Sequence, residues 1–307
     1  MRNFIAETET GYCDNLDSRS AEILALLSSE VCNGMRILES QIMKKLILEK
    51  DVSTDELLNG SGNQVTTENL HSAILNLNLN YITRRVDSKE QSIGGLMNAD
   101  IVRISGKTIS RGKDLQHLLE SDSQYHYLRD LVDYDLILFN RNNDPEAWRG
   151  GFRLYGRYGR KDVFRILNWR IKPNEQNVGG YKMSEDRRSC ALFVTINKQQ
   201  DTPATRNFDN ILYDRQSLRW FSRTKRYITS PDVAQLIRFR ENNMRILLFI
   251  RKSTDEGKRF YYMGDVEPQG WKQSQMPDAK GTMLPVVECT LHLKEAIEER
   301  IFSYLKG

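Results

Sequence analysis

Met244 to Val266 reads MRILLFIRKSTDEGKRFYYMGDV. An apolar run rich in branched and aromatic side chains meets the turn-forming STDEG, and a second such run, RFYYMGDV, follows it: two strands and a connection. Side chains alternate along an extended chain, so Phe260 and Tyr262 share one face and Tyr261 takes the other. The same texture recurs in CALFVTIN (190–197) and MLPVVECTLHL (283–293), with turn residues at Gly179, Gly180 and MPDAKG (276–281) between the runs. Helices fit around them: RKDVFRILNW from Arg160, SPDVAQLIRFR with Ser230 as N-cap and Pro231 in the first position, and KEAIEERIFSYL at the end. Several strands with two or three helices predict a curved sheet or partly closed β-barrel with helices outside.

Upstream the periodicity changes. Ile23, Leu26, Leu27 and Val31, then Leu38, Ile42 and Leu46, keep helical spacing on both sides of a break at Asn33 and Gly34. STDE (53–56) has capping-box spacing and opens a short helix. Another helix begins near Thr67, with Leu70, Ala73, Ile74 and Leu77 on one face, and leads into the strand NYITRRV. ADIVRISGKTIS predicts a hairpin about Gly106, and the stretch from Lys113 to Phe139 predicts two helices packed by Leu115, Leu118, Leu119, Leu128, Leu131 and Val132. Helix, short helix, helix, strand is the order of a winged helix, but TTENLHSAILNL contains no Lys or Arg and would attract phosphate poorly. This module reads as a protein-contacting or spacer unit. The Asn-, Pro- and Gly-containing stretch NRNNDPEAWRGG (140–151) reads as a linker, so the expected division is a mainly helical domain over 1–150 and a β-rich domain over 151–307, an α+β chain overall.

Charge divides at the same place. Residues 151–307 hold 29 Lys and Arg against 18 Asp and Glu, an excess of 11, whereas the first 150 hold 16 against 23, a deficit of 7. The basic half attracts polyanions and the acidic half repels them; a plain solvated basic surface is the competing explanation. With 39% apolar and 28% charged residues the chain has the composition of a folded, soluble protein. No run of about 18 apolar residues is present and the N-terminus lacks the apolar stretch of an export signal, so a cytoplasmic protein with no membrane partner is expected. The four cysteines, Cys13, Cys32, Cys190 and Cys289, form no CxxC pair and read as isolated buried thiols; no metal site or cofactor is expected.

YDRQSLRWFSRTKR (213–226) sets Tyr213, Trp220 and Phe221 among five Lys or Arg. Within the order YGRYGRKDVFRILNW, NVGGYK, LFVTINK, LYDRQSLRWFSRTKRYITSPDV, ILLFIRK and FYYMGDVEP, it resembles the C-terminal domain of SauUSI-type restriction proteins, which join a phospholipase-D-type nuclease to a superfamily 2 helicase. The resemblance covers roughly 152–305, and residues 65–140 are more weakly similar to the segment that couples that domain to the motor. It implies an SRA-like domain, a curved barrel of the SRA/PUA kind, that recognises modified cytosine in double-stranded DNA by rotating the base out of the stack. The family's nuclease motif HxKxxxxD and phosphate loop GxxxxGK[ST] are both absent, so catalysis is not expected; the chain reads as reader and coupler, either cut from a longer protein or standing alone.

Flipping costs a few kcal/mol and stacking on an aromatic face returns about 1–3 kcal/mol per base. A buried methyl adds about 0.8 kcal/mol, roughly fourfold in affinity, so the pocket has to be tight. The resemblance makes Tyr213, Trp220 and Phe221 candidates for pocket wall and stacking surface, and Asp209 or Asp214 for the acceptor of the cytosine amino proton. Ser222 is a candidate for a base edge or phosphate, and Arg219, Arg223, Lys225 and Arg226 for the backbone or the vacated stack. Asn197 and Lys198 are candidates for phosphate. Against this stands simple packing: Trp220 could plug the core, and Tyr181, Phe260, Tyr261 and Tyr262 read as core or rim. The competing functions are a reader of RNA or unmodified DNA, an adaptor docking residues 1–150 on a separate helicase or nuclease, and an unrecognised metal-dependent nuclease.

Overall fold

The computed structural model describes residues 16–60, 65–142, 145–169, 180–197, 210–277 and 281–307. The chain divides into two compact units, Met1–Asp144 and Pro145–Gly307. Among the described residues no helix is long and apolar enough to cross a membrane.

The first unit opens with α1 (Ser18–Leu26), capped by the Asp17 carboxylate on the backbone N–H groups of Arg19 and Ser20. After a π-turn over Leu27–Val31 the chain reverses at Gly34. A Cβ at Gly34 would lie 3.1 Å from that of Leu138, and φ is +74°, so glycine serves both the left-handed turn and the close approach. There follow α2 (Leu38–Leu48), β1 (Asp51–Ser53), α3 (Thr54–Gly60) and α4 (Thr67–Leu77), the last entered through a capping box between Thr66 and Asn69. Next come the hairpin β2 (Thr83–Val86) and β3 (Lys89–Ser92), then α5 (Ile93–Met97). The second hairpin, β4 (Val102–Ser105) and β5 (Thr108–Arg111), turns at Gly106; α6 (Lys113–Glu120) and α7 (Asp122–Asn142) complete the unit. The strands join in the order β1-β5-β4. The helical stripes anticipated from periodicity form the core: Ile42, Leu46, Leu70, Ala73, Leu77, Leu115, Leu118, Leu128 and Val132 are all buried.

Inside that core lies a polar cluster. Asp135 of α7 is fully buried and accepts from Ser40 Oγ at 2.5 Å and Gly34 N at 2.6 Å. Burial pushes its carboxyl above the usual range; the two hydrogen bonds pull the other way, and the nearby Glu39 charge adds to the rise. Glu39, equally buried, faces Arg36 Nε at 2.8 Å and Asn76 Nδ2 at 3.0 Å.

The second unit contains β6 (Trp148–Arg149), β7 (Phe152–Arg153), β8 (Arg157–Tyr158), α8 (Arg160–Ile166), β9 (Tyr181–Met183), β10 (Ser189–Asn197), β11 (Ile211–Leu212), β12 (Ser217–Phe221), α9 (Pro231–Ile237), β13 (Arg245–Ser253), β14 (Phe260–Pro277), β15 (Met283–Leu293) and α10 (Glu299–Lys306). The stretch expected as a linker is structured at both ends: α7 runs to Asn142, and Gly150 (φ +56°) with Gly151 (φ +95°) makes a tight turn that pairs β6 with β7.

Seven strands form the ladder β11-β12-β15-β14-β13-β10-β9, with β8 paired to the start of β14. All pairs are antiparallel except β10 with β13. The 18-residue β14 serves two partners, β13 through its first half and β15 through its second, and bends at a bulge between Gln269 and Lys272. Both faces of the central strands are covered. On one, Phe152, Tyr158, Phe193, Phe249, Phe260 and Tyr262 form an aromatic layer with neighbouring centroids 5.1–6.4 Å apart. On the other, Cys190, Leu192, Trp220, Ile246, Leu248, Ile250, Met263 and Leu291 make the larger core. The two ends of the ladder curl toward each other: Tyr181 on the edge strand β9 meets Trp220 on β12 edge-to-face, centroids 5.4 Å apart. Among the described residues the sheet is curved and no strand pairing closes it into a ring.

The last helix begins later than its periodicity suggests, at Glu299 rather than Lys294. Ile297 donates its N–H to Arg215 O at 2.7 Å, and Arg215 Nε donates to Ile297 O at 2.6 Å, which ties that stretch to the β11–β12 turn instead of a helical turn.

Candidate nucleic-acid interface

The place where the curled sheet meets itself brings an aromatic ring, two arginines and a carboxylate together. Strand alternation on β12 sends Leu218, Trp220 and Ser222 inward and Arg219 and Phe221 to the other face. Trp220 is 3% exposed and Tyr181 2%. Over the Tyr181 ring lies the Arg223 guanidinium, 4.3 Å from the centroid, donating through Nη2 to the Tyr181 carbonyl. Asp232, in the first turn of α9, accepts on Oδ2 from Tyr181 Oη and from Arg226 Nε, both at 2.7 Å. Burial pushes the Asp232 carboxyl up, but the hydrogen bonds from Arg226 and Tyr181 and the Arg226 charge outweigh it and hold the group below its ordinary value. The phenol of Tyr181 moves up, through burial first and then its bond to Asp232.

A further cation, Arg187, acts beside this seam. Arg187 reaches Met183 Sδ at 3.6 Å, and Arg187 and Arg223 both act on the Cys190 thiol, which burial nevertheless drives up. Lys182 alternates with Tyr181 and Met183 on β9 and takes the other face, and Asp232 is the one carboxylate that the described residues put into direct contact with the Tyr181 hydroxyl. An aromatic face covered by a cation, next to a held carboxylate, offers a stacking surface and a hydrogen-bond acceptor side by side.

The residues singled out in the sequence separate accordingly. Trp220, Arg223 and Arg226 belong to the seam. Trp220, however, lies in the core, so neither of its faces is open to a base in this conformation. Phe221 points away from Trp220 under the guanidinium of Arg219, 5.3 Å distant, so the pair cannot wall one pocket. Ser222 has its hydroxyl committed to the backbone: it is 1% exposed, accepts from Val287 N at 2.9 Å and donates to Arg223 O at 3.0 Å. Asp214 caps its own turn, accepting from Ser217 Oγ at 2.5 Å and Gln216 N at 2.7 Å, while Tyr213 beside it is 48% exposed. Lys225 is exposed in a left-handed conformation. Asn197 ends β10 opposite Ser253, and its side chain lies outside the described residues, as do Lys198 and Asp209.

Sequence reasoning passed over Asp232 and Arg187, whereas Tyr181 in GGYK reads as core or rim packing and is 2% exposed in the core. Asp232 looks like an ordinary first-turn acid; only the curl of the sheet joins it to Tyr181.

Residues 152–305 match the family described as a domain of unknown function (DUF3427), and residues 2–144 match another domain of unknown function (DUF8090). No curated protein matches the sequence. Among solved structures, the chain is similar to the sulfur binding domain and SRA domain of ScoMcrA complexed with phosphorothioated DNA, at 9% identity and a TM-score of 0.34, over 89% of this chain and 90% of that one. It is similar to the DNA modification-dependent restriction endonuclease AspBHI at 12% identity and a TM-score of 0.31, over 48% of this chain and 40% of that one. It is also similar to KRYPTONITE in complex with mCHG DNA and SAH, at 14% identity and a TM-score of 0.30, over 60% and 41% of the two chains.

Proposed function

We propose, for a chain that belongs to the DUF3427 family through residues 152–305, that its second unit is a DNA-binding module which reads a modified cytosine, with 5-methylcytosine as the first candidate, by accepting the flipped base at the Tyr181–Arg223 seam. The observation that carries this reading is the Arg223 guanidinium lying 4.3 Å over the Tyr181 ring beside the Asp232 carboxylate. The guanidinium covers the ring face on which a base would stack. Tyr181 is as buried as Trp220, so this reading requires Arg223 to swing out toward phosphate and uncover that face of the ring, with the Asp232 carboxylate beside it as the acceptor for an amino proton. The excess of 11 positive charges in residues 151–307 supports the polyanion partner, and the resemblance of six sequence blocks to SauUSI-type recognition domains favours modified cytosine and a type IV restriction setting.

The module binds and leaves cutting to another polypeptide or segment. For the first unit, the strand order β1-β5-β4 behind the helix series supports a winged-helix-like arrangement. Its α4 carries no Lys or Arg, whereas Tyr134 and Ile137 on α7 are 59% and 62% exposed, which favours contact with a helicase or nuclease partner over contact with DNA.

The deciding experiment titrates the full chain with a short duplex carrying one methylated cytosine or none, at two salt concentrations, with RNA of the same sequence as competitor. The expected result is a methyl-dependent difference that survives the higher salt while total affinity falls, and its loss in Arg223→Ala. Equal affinity for both duplexes, or preference for the RNA, overturns the reading.

A further inference from the structure

Among the described residues several arginines of the second unit are paired with carboxylates. Arg149, Arg226, Arg240 and Arg245 hold Glu295, Asp232, Glu267 and Asp265 at 2.5–2.8 Å. At the end of β13 and the start of β14 the cations instead rest on aromatic rings. Arg251 stands 4.7 Å from the Phe260 centroid, Arg157 5.2 Å from that of Tyr261, and Lys252 Nζ 5.1 Å from that of Tyr304. Among the described residues none of these three has a carboxylate within ion-pair distance, and the exposed Lys258 and Arg259 add two more charges. The carboxylates of the hairpin turn are Asp255 and Glu256; Glu256 Oε2 accepts from the backbone N–H of Lys252 at 2.8 Å.

The three cations are aimed rather than loose. Arg251 is half-buried, its Nε donating to Thr195 Oγ1 at 3.0 Å and its Nη1 to Gly257 O. Arg157 Nη2 donates to Glu256 O at 3.0 Å. Tyr261 and Tyr304 meet at a centroid distance of 6.0 Å, and Tyr304 is 41% exposed, so a partly open aromatic pair separates Arg157 from Lys252. Arg251 feels the Glu256 charge only at a distance, and a guanidinium held partly out of water with no carboxylate in contact leaves room for an anion to complete it.

We propose that this end of the β13–β14 hairpin is a second anion-binding surface that takes consecutive phosphates of a nucleic-acid backbone, with Arg157, Arg251 and Lys252 as its contacts and Tyr261 and Tyr304 as sugar or base platforms. Planar guanidinium forks match phosphate oxygens, and the aromatic pair between cations fits a nucleic-acid strand better than an acidic peptide. The proposal rests on the nucleic-acid reading of this unit but on no recognised base, because the surface lies on β8, β13, β14 and α10 and the seam on β9, β12 and α9.

The test measures binding of the full chain to an unmodified duplex as a function of salt, for wild type, Arg157→Gln/Lys252→Gln and the charge-matched control Lys294→Gln/Arg238→Gln, with polyglutamate and inorganic phosphate as competitors. Tryptophan fluorescence checks folding, and Lys252→Gln alone serves if the double variant unfolds. Each lost phosphate contact lowers the slope of log Kobs against log salt by about 0.9, so the double variant drops by roughly 2 and the control stays near wild type. An unchanged slope in the double variant with methyl preference intact overturns this surface and leaves the seam standing. A lowered slope in a methyl-blind protein supports this surface and removes the seam. Equal slope loss in the control reduces the effect to net charge and overturns the proposal, as does displacement of duplex by polyglutamate or inorganic phosphate as effective as by a second duplex.

Discussion

Truncating Trp220 to alanine separates core from pocket. The indole is 3% exposed, packs in the larger core with Leu218, Cys289 and Leu291, and meets Tyr181 edge-to-face at 5.4 Å. Removing a buried tryptophan costs about 3–5 kcal/mol, of which the aromatic pair accounts for about 0.5–1.5 kcal/mol. In a unit of this size each kcal/mol shifts Tm by about 2–4 °C, so a fall of roughly 6–20 °C is expected. The assay is selective without truncating the chain, because all four tryptophans, Trp148, Trp169, Trp220 and Trp271, belong to the second unit. Fluorescence-detected urea unfolding of wild type and Trp220→Ala therefore reports that unit alone, with Trp220→Phe expected to recover most of the loss. A tryptophan waiting at the surface for a base would cost within about 0.5 kcal/mol. A Trp220→Ala midpoint within that range would refute the burial argument and return Trp220 to the list of stacking residues.

Three more outcomes follow from the polar groups. In Ser222→Ala the Val287 N–H loses its acceptor inside the core, so the second unit should lose about 1–3 kcal/mol by the same fluorescence assay while the folded protein keeps its DNA affinity; a loss of affinity at unchanged stability would return Ser222 to the interface. Asp232 has a folded pKa below its ordinary value, so its contribution is complete above about pH 4 and disappears as pH falls further; the stability gap to Asp232→Asn should be full at pH 6 and close in acid, and a gap independent of pH contradicts the Arg226 pairing. Asp135 is shifted the other way: the folded state holds its proton more tightly than the unfolded chain, so the carboxylate costs stability that grows as pH rises above about 4. Asp135→Asn, which keeps an acceptor for Gly34 N–H, should gain on wild type as pH rises from about 4 toward neutrality when urea unfolding is followed by far-ultraviolet circular dichroism; a variant that only loses as pH rises contradicts this.

Much of the element pattern was present in local sequence. Branched and aromatic runs marked β10, β13 and β15 and the first third of β14, and the alternation of Phe260, Tyr261 and Tyr262 assigned them to the faces they occupy. The remainder of β14 was not visible: EPQGWKQSQMP (267–277) has no apolar alternation, and it is extended because β15 supplies its ladder partners. The site was legible only in part. RWFSR drew notice to Trp220 and Arg223, yet the alternation that sorted Phe260 from Tyr261 equally separates Trp220 from Phe221, and Ser222 looked available because nothing local reveals that Val287 lies across from it.

Periodicity, charge and cap chemistry act over a few residues, so local sequence was enough for most helices and for the apolar strands, for which side chains share a face, and for the gathering of positive charge in the second half. Tertiary structure alone decided that β10 lies parallel to β13, that the ladder curls until Tyr181 meets Trp220, and that Arg223 covers the ring while Asp232 holds its hydroxyl. These depend on pairing between strands far apart in the chain and on a twist accumulated across a seven-strand ladder, and no short window of sequence contains either.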